Sequence, residues 1–110
     1  MIDLMYLPKV DDDSKLIHQR LLRLGYTGAS GYETARDATN ELLGMGKYIA
    51  GNLLNAWENP PPNGTSFNHS RFYGNLNQLL VAMIERGDLT LSQLQRYRRL
   101  ITSEKTDHAY

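Results

Sequence analysis

The chain has 110 residues, with 12 Lys plus Arg against 12 Asp plus Glu, a net charge of zero and a pI near 6.8. A hydrophobic content of 41% and a charged content of 22% argue against wholesale disorder and fit a single domain with one core. The balanced charge removes both the basic excess usual in nucleic-acid binders and the acidity of a DNA mimic, and the absence of cysteine rules out disulfides and thiolate chemistry.

The opening MIDLMYLPKVDDD carries Asp3 where a signal peptide needs positive charge, and its apolar stretch is cut by Pro8. No run approaches ~18 apolar residues. The expectation is a soluble cytoplasmic protein with no membrane segment. The triplets at Asn63 and Asn68 that match a glycosylation site are read as chance. Residues 1–12 are expected to form an extended arm, because proline forbids a helix across it.

A first helix is predicted from Asp13 or Ser14, either of which can cap free backbone N–H groups. Leu16, Ile17, Leu21 and Leu24 follow helical spacing, Leu22 lies beside them, and Gly25 ends the run. A glycine-rich turn, Gly25 to Gly31, follows. Ser30 and Glu33 have capping-box spacing, which sets the start of a second helix near Gly31. From there Ala35, Ala38, Leu42, Met45, Ile49, Leu53 and Ala56 form one stripe, and Leu43, Gly46, Ala50, Leu54 and Trp57 form another beside it. Two apolar faces imply a helix surrounded by others, so a long central helix over 31–58 is predicted, with a kink at Gly44–Gly46.

The stretch ENPPPNGTS breaks the chain and is read as a proline-rich loop at 59–66. A third helix is predicted from about Ser70 to Arg86, buried through Leu76, Leu79, Leu80, Met83 and Ile84, and ended by Gly87. Thr90 and Gln93 again have capping-box spacing, followed by Leu91, Leu94, Tyr97, Leu100 and Ile101. The polar residues from Ser103 are expected to be a tail, flexible over 104–110. With no alternating strand, the fold class is all-α: a bundle of four to five helices.

The segment LLGMGKYIAGNLL tests for a phosphate loop. A dinucleotide fingerprint needs a third glycine where Ile49 stands; a P-loop needs Ser or Thr at Tyr48 and glycine at Glu41. Both fail, which leaves Gly46 and Ala50, four apart, as small residues admitting a neighbouring helix or a second copy of the chain. His18, His69 and His108 lack ligand spacing, and Asp11 to Asp13 are read as a solvated lead-in to a helix, so neither metal nor cofactor is expected. No nucleophile or acid–base signature appears, and an enzyme is not expected.

Two binding readings remain. From residue 71 onward six basic residues face four acidic ones, and the pair of helices at 76–103 resembles a helix-turn-helix unit. In that alternative Arg86, Arg96 and Arg99 contact DNA, while Tyr97 belongs to the core. The favoured reading is a small non-catalytic regulator or inhibitor that binds a protein partner, with a homodimer also open. Its expected contact residues are Trp57, Phe67, Phe72 and Tyr73 around the proline loop. The competing structural reading folds these rings back over the ends of the bundle.

Overall fold

The structure is a computed structural model and describes residues 14–107, with Tyr32 and residues 103–107 described in backbone only. The expected arm at 1–12, the Asp13 cap and His108 lie outside these residues. Among the described residues the protein is mostly helical, and its only extended pairings are two isolated bridges. No described helix is long and apolar enough to cross a membrane.

Helix α1 covers residues 14–24 and buries Ile17, Leu21 and Leu24, one stripe at helical spacing. Leu16 and Leu22 are partly exposed at its edges. Helix α2 spans Gly31–Met45. Its start differs from expectation: Ser30 is at the cap position, but its side chain caps no backbone N–H. The backbone at Ser30 (φ −105°, ψ 25°) is not the extended form that aims a serine hydroxyl at the third residue, and Ser30 Oγ instead lies 3.3 Å from Thr34 Oγ1.

The long central helix over 31–58 is not formed. Gly46 has φ 77°, in the left-handed region, and its N–H donates to Leu43 O, closing α2. A single 3₁₀ turn, Gly46–Ile49, follows, and α3 begins afresh over Ala50–Glu58. The interruption is thus a break rather than a kink. α3 is nonetheless buried on two faces, through Ala50, Leu53, Leu54, Ala56 and Trp57, as the double stripe requires.

The connection from Asn59 to Asn68 is not helical and is stitched to the turn after α1. Thr27 N donates to Ser66 O at 3.1 Å, Asn68 N donates to Gly25 O at 2.9 Å, and Tyr26 pairs with Phe67 in an antiparallel bridge. Helix α4, His69–Glu85, starts where Asn68 Oδ1 accepts from Arg71 N. It buries Phe72, Tyr73, Leu76, Leu79, Leu80 and Met83. It ends in a Schellman arrangement: Asp88 N donates to Met83 O and Gly87 N to Ile84 O, with Gly87 at φ 77°.

Helix α5, Leu91–Asp107, carries the predicted capping box intact. Gln93 N donates to Thr90 Oγ1 at 3.1 Å and Thr90 N to Gln93 Oε1 at 2.9 Å. The helix continues through Asp107, into the stretch expected as tail. α4 packs against both α2 and α3, and α3 against α5, so one core runs through all of them. Polar links cross between helices as well: Glu41 of α2 pairs with Arg20 (3.1 Å) and Arg23 (3.6 Å) of α1, and Arg96 of α5 pairs with Glu58 of α3.

Candidate binding groove

The four aromatic residues expected to face a partner are core residues. Phe72 is fully buried, and Trp57, Phe67 and Tyr73 are at most 9% exposed. They stack on one another rather than on solvent: Trp57 meets Tyr73 edge-on with ring centres 4.9 Å apart, and Phe72 contacts Phe67 at 5.3 Å and Tyr73 at 5.5 Å. The Tyr73 hydroxyl donates to Trp57 O at 2.8 Å, tying α4 to the last turn of α3. Among the described residues there is no exposed aromatic platform around the loop. The reason is that Phe72 and Tyr73 belong to the same helical stripe as Leu76, Leu79, Leu80 and Met83, extended one turn toward the N-terminus.

The small-residue pair also divides. Ala50 is fully buried within the chain, so its neighbours are the protein's own helices. A Cβ placed on Gly46 would meet nothing within 4 Å, so this glycine is not accommodating a close helix; it supplies the left-handed turn instead. The three arginines of the nucleic-acid alternative have different surroundings. Arg86 donates to Asp88 Oδ2 and, through Nη2, to Leu43 O at 2.8 Å, and Arg96 donates to Glu58 and to Asn55 Oδ1. Arg99 is exposed, with no bonded partner among the described residues.

What the sequence did not single out is a groove of about 610 Å³ between α2 and α4. From α2 it is lined by Arg36, Thr39 and Asn40; from α4 by Ser70, Arg71, Asn75 and Gln78, with Asn68 at the end. Its apolar lining is small: Gly31, Ala35 and Gly74. The helical register explains the placement. Arg36 and Asn40 are one turn apart on α2, and Arg71, Asn75 and Gln78 are spaced four and three on α4, so each set lies on one face.

Two of these side chains also build the fold. Arg71 Nη1 donates to Tyr26 O at 3.1 Å and Asn75 Nδ2 to Leu24 O at 2.6 Å, satisfying carbonyls left free where α1 ends. Gly31 permits this: a Cβ there would sit 2.7 Å from Tyr26 O and 2.8 Å from the Arg71 guanidinium. Asn40, Ser70 and Gln78 have no hydrogen-bond partner among the described residues, so their donors and acceptors are open to a ligand. Arg36 is only 3.8 Å from Asp37, both well exposed, a pairing worth little in water. None of the described residues lining the groove is acidic.

Such a surface is suited to recognition through hydrogen bonds. Carboxamides both donate and accept, guanidiniums donate in planar pairs, and the floor is low enough to admit a main chain. Elsewhere, His69 Nε2 is 2.6 Å from Pro61 O and so is engaged with the loop, and no described group of three or more His, Asp or Glu side chains is placed to hold a metal. The chain matches no known protein-family model, no curated protein and no solved structure.

Proposed function

We propose that this protein is a small non-catalytic regulator or inhibitor that acts by binding a protein partner, holding an extended segment of it in the α2–α4 groove. The observation that carries the reading is the lining itself, in which open carboxamides and hydroxyls match the donors and acceptors of a peptide main chain. From Asn68 to Gln78 the α4 wall runs about 15 Å, at ~1.5 Å per residue. That length accommodates roughly four to five residues of extended chain, at ~3.3 Å each.

Gly74 provides the test. It lines the groove, and a Cβ there meets nothing within 4 Å, so Gly74→Leu fills the groove without a clash inside the protein. Removing a glycine from a helix interior is itself stabilising by about 0.5–1 kcal/mol. In affinity capture from the native cell, with and without nuclease, wild type should retain a protein that Gly74→Leu loses, while the thermal midpoint of the variant does not fall. Identical capture by both proteins overturns the groove as the binding face. Loss of the captured protein on nuclease treatment overturns the protein partner in favour of nucleic acid.

A further inference from the structure

Building on that groove as the binding face, we propose that the bound segment is acidic, with two carboxylates on one face of an extended peptide seated on Arg36 and Arg71. The charge of the groove supports this. Among the described residues two guanidiniums line it and no carboxylate does, although the protein as a whole is neutral. Arg71 is held in place by its bond to Tyr26 O, which uses one of its five N–H donors and leaves the others for a carboxylate. The Arg36 side chain makes no hydrogen bond within the described residues, and the acid it pairs with there, Asp37, is beyond hydrogen-bond distance at 3.8 Å. The carboxamides of Asn40 and Asn75 stand one helical turn from Arg36 and Arg71 on the same walls, within the groove where a peptide main chain would lie.

Same-face side chains of an extended peptide recur about every 6.6–7 Å, giving two over a groove of ~15 Å, so two guanidiniums match two carboxylates.

The test uses the full chain and three fluorescein-labelled probes: the peptide Ser-Glu-Ser-Glu-Ser, its glutamine counterpart, and an oligothymidylate of six nucleotides. By fluorescence anisotropy at low salt, the glutamate peptide should bind at least about ten-fold more tightly than the glutamine peptide. That preference should shrink as salt is raised, because exposed charge pairs are screened. Arg36→Gln should remove most of it. This variant loses no hydrogen bond within the described residues, so a fold-wide effect is not expected; Arg71→Gln should act likewise, with circular dichroism reporting whether the lost Tyr26 bond perturbs the fold. Equal binding of the two peptides, a preference unchanged in Arg36→Gln, or tighter binding of the oligothymidylate overturns the proposal. If Gly74→Leu still loses its captured partner while the two peptides bind equally, the groove stands as the binding face and only the acidic segment is withdrawn.

Discussion

Trp57 illustrates how one side chain serves the core instead of the surface. It is 6% exposed, packs edge-on against Tyr73 and sits at the last turn of α3. Replacing it with alanine leaves a cavity as large as an indole, and Trp57→Ala should lower stability by about 3–5 kcal/mol, read as a shift in the urea midpoint. That is a large fraction of the ~5–15 kcal/mol typical of a domain. Tyr97 makes a different prediction. Burial raises its pKa above 10.0, while its hydroxyl donates to Asn77 Oδ1 at 2.6 Å. Because the folded state holds this proton more tightly than the unfolded chain, the contribution is complete below the ordinary value and is lost as pH rises through the raised one. Wild type should therefore lose stability more steeply than Tyr97→Phe when urea midpoints are followed from about pH 8 into the range above the normal tyrosine value. A parallel decline in the two proteins would show that Tyr97 is not the group responsible.

At the scale of elements, two identical sequence signals had different outcomes. Thr90 and Gln93 form a reciprocal capping box; Ser30 and Glu33, at the same spacing, do not. The difference lies in what precedes them. Ser30 ends a tight turn in which Gly31 N donates to Gly28 O, and that turn fixes its backbone away from the extended capping form. Thr90→Ala should accordingly cost about 1 kcal/mol and Ser30→Ala only a few tenths, measured side by side by thermal unfolding. The same contrast shows what was readable. Apolar spacing placed α4 and the start of α5 within a residue or two, though not the end of α5, since burial on one face imposes the 3.6-residue period directly. It did not show the break at Gly46, because one 3₁₀ turn of four residues returns the chain to nearly the same register. Met45, Ile49 and Leu53 therefore stay on one stripe through the break, with Ile49 2% exposed. Gly44 and Gly46 look alike in sequence, and only the second adopts a positive φ.

For the whole molecule, the burial of the aromatic residues was partly legible and the groove was not. Extending the α4 stripe back from Leu76 to Phe72 assigns that ring to the core with no further information. The groove has walls from two helices whose lining residues are about 30 or more positions apart, and either wall alone reads as an ordinary solvated face. Only the packing of α2 on α4 turns two polar faces into one concave surface.

The way α1 is fastened has a consequence for how the chain reaches this state. Its last carbonyl and one in the turn after it are satisfied by side chains of α4, with Leu24 O bonded to Asn75 across 51 residues and Tyr26 O to Arg71 across 45. Closing a loop of that size costs on the order of 3.5 kcal/mol in chain entropy beyond a constant term. α4 and α5, by contrast, are joined by a turn of only a few residues. Local pairs assemble ahead of such distant ones, so α1 should dock onto a bundle whose other helices have already found each other. Until it does, Ile17, Leu21 and Leu24 are uncovered, and this late-docking helix is where crowded refolding would divert the chain into aggregates.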